Sequence, residues 1–234
     1  SPMPANLSMS PKGLQVAPQG PFAPTAPTLS QTNNNSEKRN ENEYDWRSNA
    51  ERGFWLDGVN MTNKEDFIKE MDLEMSKKSF EYFFTEILEF DFSDHHKLWL
   101  QGVNESKRYC VKASRDHGKS VFFMSYALWL AAFRPNTHIM IFSHSLEQTL
   151  EHMRFIRNLI ETKEILKDLK PKGRPWNKSY FEFTNKSRLM AKSVGGATRG
   201  FHPNVVLCDD ILWGTTVTEL QRAADWFYTV LLPV

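Results

Sequence analysis

Cysteine is scarce: Cys110 and Cys208 are the only two in 234 residues. A disulfide framework is excluded, and a reducing cytoplasm is the expected setting. No run approaches the roughly 20 apolar residues of a membrane span, and no signal peptide is visible. Neither sign of charge dominates. There are 29 basic and 28 acidic side chains, a net of +1. Any contact with nucleic acid must therefore come from a local patch. Apolar residues are not lacking, at 40% hydrophobic and 13% aromatic. Wholesale disorder, collagen-like repeats and fibres are excluded. The length suits one large domain or two small ones.

The charge is unevenly spread. Residues 1–36 hold one charged side chain, Lys12, and seven of the twelve prolines. Such a segment buries too little to offset its ordering entropy, so a disordered Pro-rich tail is expected over 1–45. Residues 37–94 carry 16 acidic and 8 basic side chains, whereas 163–203 carry 10 basic and 3 acidic. This asymmetry predicts opposite fields at opposite ends of the fold. An acidic helical lead-in is expected over 46–94 and a folded core over 95–234.

Thr62 or Asn63 can cap a helix whose first turn holds Glu65 and Asp66. Phe67, Met71 and Met75 form one stripe. Phe80, Phe83, Phe84, Ile87 and Leu88 follow helical spacing, so one or two helices are predicted over 63–90. From residue 108 the period changes. Tyr109–Ala113 reads as a short buried strand. Ser120–Phe133 reads as a buried helix stopped at Arg134-Pro135. His138–Ser143 is a second buried strand and Leu146–Thr162 an amphipathic helix. Tyr180–Thr184 and Arg188–Lys192 flank Asn185-Lys186-Ser187 as a hairpin. Val205–Cys208 is a further buried strand. Alternating strands and helices predict an α/β fold with a largely parallel sheet flanked by helices.

Between the first predicted strand and helix lies Ala113-Ser114-Arg115-Asp116-His117-Gly118-Lys119-Ser120. It matches the phosphate-loop template G-x-x-x-x-G-K-[ST] at Gly118, Lys119 and Ser120, with Ala113 in place of the first glycine. Such a turn points backbone N–H groups at a triphosphate, and the helix N-terminus adds positive potential. Lys119 would reach the β- and γ-phosphates of ATP, and Ser120 would ligate Mg²⁺. Ser114, Arg115, Asp116 and His117 complete the predicted nucleotide-binding loop. The bland alternative is a plain strand–helix turn with a solvated lysine.

Val205-Val206-Leu207-Cys208-Asp209-Asp210 is an apolar strand ending in two carboxylates, the Walker B pattern. Asp209 is positioned to hold Mg²⁺, and Asp210 to orient and deprotonate an attacking water. The alternative is a strand end entering a turn with capping aspartates.

Taken together, Ser114-Arg115-x-x-Gly118-Lys119-Ser120, the Asp209-Asp210 pair, Phe92-x-x-His95 and Gly195-Gly196-x-x-Arg199-Gly200 resemble bacteriophage terminase large subunits over roughly residues 80–234. Asp210 departs from the commoner Glu. The resemblance implies a P-loop NTPase of the RecA/ASCE-like kind that hydrolyses ATP with Mg²⁺ to translocate double-stranded DNA. It also implies a homo-oligomeric ring on the portal of a procapsid, a small terminase subunit as partner, and the cytoplasm of an infected bacterial host. A nuclease domain and a coupling strand would lie beyond Val234, so the chain reads as a fragment. By the same resemblance His95 sits on the nucleotide side, Arg115 stabilises transferred charge, and Arg199 acts as a finger in trans. The rivals are another P-loop DNA translocase or helicase, and a degenerate docking module without turnover.

Other features admit two readings. Arg115 is a catalytic cation or a surface arginine paired with Asp116. Arg199 is a finger or a structural cation. His95 and His96 beside Asp91 and Asp94 imitate a metal cluster, but a short acidic loop lacks convergent geometry. Lys163, Lys167, Lys170, Lys172, Arg174 and Lys178 are a DNA-tracking patch or a solvated basic loop. Trp176 stacks on a base or packs in the fold.

Overall fold

The computed structural model describes residues 64–172, 176–196, 201–212 and 216–231. The Pro-rich tail, Arg174, Arg199 and the last three residues lie outside these.

Helix α1 spans Lys64–Lys78, with Glu65 and Asp66 in its first turn and Lys77 and Lys78 in its last, which suits the helix dipole. Ser79 then interrupts the helical run. Its side chain accepts the N–H of Tyr82 and starts α2, Phe80–Tyr82, which continues into a π-helical turn over Phe83–Ile87. Helix α3, Asp94–Glu105, follows. Helix α4, Lys119–Phe133, buries Phe122, Met124, Ala127, Leu128, Trp129 and Ala131, so it is apolar on nearly all sides. Trp129 Nε1 donates to the Ser76 carbonyl at 2.7 Å and ties α4 to α1. Phe80, Phe83, Phe84 and Ile87 share one hydrophobic cluster with α4. The acidic lead-in thus supplies part of the core.

Strand β1 is His138–Ser143 and helix α5 is Leu146–Thr162, both with the predicted limits. Ser145 caps α5 by accepting the Gln148 N–H. The hairpin forms as β2, Tyr180–Glu182, and β3, Arg188–Ser193. Strand β4 is Val205–Cys208 and helix α6 is Val217–Trp226. The sheet order is β2-β3-β1-β4. β1 pairs in parallel with β3 and β4, while β2 pairs antiparallel with β3. The sheet is therefore mixed: two of its three pairings are parallel, and the hairpin adds the antiparallel one, because a tight turn can only return antiparallel. Alternation along β1 serves two layers. Ile139 and Ile141 join the α4–α5 cluster, while Met140 and Phe142 meet Trp226 and Leu231 on the other face.

Three expectations are corrected. Tyr109–Ala113 forms no strand. Tyr109 and Cys110 are exposed, and only Val111 and Ala113 rest against the core. The alternation suits a strand, but the segment has no ladder partner among the described residues. β4 is not a buried strand. It lies at the sheet edge with Val205, Val206 and Leu207 half-buried and Cys208 exposed. The opposite charges are also not at opposite ends. Lys163 meets Glu89 at 3.0 Å, and Lys69 meets Glu164 at 3.8 Å.

Candidate functional site

The site is built at the C-terminal end of β4 and the N-terminal end of α4. β4 runs parallel to β1 with Cys208 opposite Phe142. One further bond, from Asp209 N–H to the Phe142 carbonyl at 2.8 Å, fixes the first aspartate at the strand's tip. On the other side the chain reverses at Gly118, whose φ of 69° lies in the left-handed region. Glycine adopts that conformation without Cβ strain. Its carbonyl accepts the Phe122 N–H at 2.8 Å and opens the helix. The helix start therefore presents Lys119 and Ser120 to the strand tip.

The three side chains meet. Ser120 Oγ donates to Asp209 Oδ2 at 2.7 Å. Lys119 Nζ lies 3.7 Å from Asp209 Oδ1 and 3.3 Å from Asp210 Oδ1. Asp209 is buried, whereas the Asp210 side chain is 64% exposed on a backbone with φ of 47°. The two carboxylates thus differ in kind: one is fixed and desolvated, the other faces water. A buried carboxylate needs hydrogen bonds and countercharge. Burial pushes the Asp209 carboxyl up, but His152, Ser120 and Lys119 together outweigh it and hold the group below the ordinary aspartate value. It remains an anion at neutral pH.

His152, on the second turn of α5, was not anticipated. Its Nε2 lies 3.0 Å from Asp209 Oδ2, close enough for an ion pair but without the alignment of a hydrogen bond. The signal was present in the sequence. His152 is three residues from buried Thr149 and four from buried Ile156, on the inward stripe of the helix. A polar ring on such a stripe requires a partner.

The histidines before the loop fall on α3. His95 Nε2 donates to the His117 carbonyl at 3.2 Å, and His117 Nδ1 donates to the Arg115 carbonyl at 3.1 Å. These bonds hold the loop from one side. His96 is buried and its ring stacks on Phe122, centroids 5.2 Å apart at 12°. Its Nδ1 accepts the Ser93 N–H at 3.1 Å, as a Glu does in a capping box, so the proton belongs on Nε2. That Nε2 is buried without a hydrogen bond and faces Gly118, where an added Cβ would sit 3.4 Å away. Burial, then the neighbouring His95, depress the His96 pKa.

Arg115 is exposed, and among the described residues neither it nor Asp116 forms an ion pair with the other. Ser114 and Asp116 are exposed too, with Asp116 at a φ of 66°. No three His, Cys, Asp or Glu side chains among the described residues converge as a metal cage. Ser120 and Asp209 nevertheless supply two hard oxygens at hydrogen-bond distance. That donor set fits Mg²⁺, which keeps waters and takes its remaining ligands from phosphates.

The basic stretch is in part ion-paired, while Lys172 and Lys178 are exposed. Lys170 pairs with Glu161 at 3.1 Å, Lys163 with Glu89, and Lys167 with Glu164. Trp176 stacks on Phe181 with centroids 4.6 Å apart and donates from Nε1 to the Glu182 carbonyl at 2.8 Å. It is a packing residue. No helix among the described residues is long and apolar enough to cross a membrane. No protein-family model matches the chain, and no curated protein is significantly similar to it in sequence.

Proposed function

We propose that this chain carries a phosphate-loop ATPase domain of the kind found in viral terminase large subunits, whose ATP hydrolysis drives double-stranded DNA into a procapsid. One observation carries the enzymatic part. Lys119 and Ser120, at the start of one helix, converge on Asp209 and Asp210, at the tip of one strand, with Ser120 Oγ 2.7 Å from Asp209. Nothing in hydrophobic packing requires this set of residues at one point. Phosphate transfer does require it.

Lys119 and the backbone amides of the loop bind phosphate oxygens. Ser120 and Asp209 would hold the cation, and Mg²⁺ when bound neutralises charge on the β- and γ-phosphate oxygens. Asp210, exposed to water, orients the attacking water and takes its proton. Arg115 adds positive charge from the loop itself, and Arg199 from a neighbouring subunit. The DNA-translocating role, the ring on a portal, the small-subunit partner and the host cytoplasm rest on the terminase-like loop with its arginine and on the Arg199-Gly200 segment.

The test is equilibrium binding and hydrolysis of Mg·ATP by the chain and its Lys119→Ala variant, with and without linear double-stranded DNA. The variant should lose both binding and turnover. Near-normal hydrolysis by the variant rejects the phosphate-loop assignment. Turnover indifferent to DNA rejects the motor assignment and leaves the ATPase standing.

A further inference from the structure

Asp209 Oδ2 has two neighbours, and the phosphate-loop reading explains only Ser120. The other is His152, which comes from α5 and not from the loop or the β4 strand. Its side chain is 13% exposed, so the ring is held between the helix and the sheet edge. Its Nε2 has no hydrogen-bond partner elsewhere among the described residues, and Asp209 is the anion it faces. α5 is itself firmly seated. Ser145 caps its start, and Thr149 Oγ1 donates to the Lys192 carbonyl of β3 at 2.9 Å. Thr149 lies three residues before His152, on the same side of the helix. The imidazole therefore approaches the carboxylate from a fixed platform.

We propose that His152 is a positioning residue for Asp209, holding the Oδ2 side of its carboxylate so that a nucleotide-borne divalent cation meets a preset ligand. This rests on the phosphate-loop reading. Groups that ligate metals are in turn oriented by a second layer of polar contacts, and loss of such a contact typically lowers metal affinity about 10- to 100-fold. A freely rotating carboxylate would have to be ordered at each binding event, at an entropic cost that a held one avoids.

The experiment titrates a fluorescent ADP analogue into the wild-type chain, His152→Ala and His152→Gln, at several Mg²⁺ concentrations and in EDTA, alongside thermal melts. The Mg²⁺ concentration giving half of the affinity gain should rise about tenfold in His152→Ala. Affinity in EDTA should stay within about twofold, because the loop amides and Lys119 are untouched. His152→Gln, which keeps an N–H donor, should recover most of the loss. An unchanged Mg²⁺ midpoint in His152→Ala overturns the proposal. So does an equal loss in EDTA and Mg²⁺, which marks a merely structural ring. A wild-type chain that binds the analogue with no Mg²⁺ response overturns this role while sparing the anion site. A wild-type chain that binds no analogue at all overturns the phosphate-loop reading itself.

Discussion

Ser120 and Asp209, 89 positions apart, share a hydrogen bond of 2.7 Å. A bond to a charged acceptor of this kind contributes about 1.5–3 kcal/mol. It is also the join between the helix that carries the loop and the strand that carries the acids. The loop and the acids are thereby registered to each other before any ligand is considered.

The exposure of Asp210 separates its role from that of Asp209. Asp210→Asn should leave nucleotide affinity within a few-fold and lower turnover by about 10²-fold or more, the usual worth of a general base. Binding and steady-state hydrolysis measured on the same preparation check this. Undiminished turnover assigns the base elsewhere.

Gly118→Ala puts a Cβ on a backbone at φ of 69°, 3.4 Å from His96 Nε2. A left-handed non-glycine residue costs about 1–2 kcal/mol. The variant should melt a few degrees lower and bind nucleotide more weakly than that stability loss accounts for, because the loop itself must shift. A variant with wild-type affinity contradicts the assigned loop geometry.

His96 resists protonation in the fold, through burial and then the proximity of His95. An unfolded histidine takes its proton near pH 6.5 or so. Below that value the unfolded chain binds more protons than the native one, so stability is full above it and falls as the pH drops. Urea midpoints at several pH values between neutral and mildly acid should show that slope. His96→Gln, which can still accept the Ser93 N–H, should flatten it. Parallel slopes in the two proteins reject the assignment.

Asn185, in the β2–β3 turn, donates to the Ala131 and Ala132 carbonyls at 2.8 and 3.0 Å. It satisfies the C-terminal end of α4, which otherwise leaves carbonyls unpaired. Asn185→Ala should cost about 1–3 kcal/mol. Equilibrium denaturation checks the value, and a loss below a few tenths excludes the capping role.

Much of the fold was legible where a local rule and the tertiary environment agreed. β1 and α5 fell on their predicted limits because an unbroken apolar run and a serine cap are each decisive at short range. Gly118-Lys119-Ser120 and the two aspartates were legible as motifs, and the structure brings Lys119 and Ser120 within contact of Asp209 and Asp210. Tyr109–Ala113 was misread because a short apolar run does not say whether a neighbour offers a ladder. Instead the Tyr109 ring lies over α3, where a Cβ on Gly102 would come within 2.2 Å of it. β4 was misread for the related reason that four apolar residues do not say how many sides are covered. His152 was missed because its meaning depends on α5 crossing the tip of a strand more than fifty residues later. Only the assembled sheet brings the two together.

β4 has a single neighbour, β1, among the described residues. In an edge strand every second amide turns away from the ladder and toward solvent. The carboxylates of the site therefore hang from an edge strand, while the lysine and serine that meet them stand at the start of a deeply buried helix. Deuterium uptake should follow that division, quick along 205–208 and slow through the middle of α4. Occupancy of the site, by tying the two together, should slow the first without touching the second.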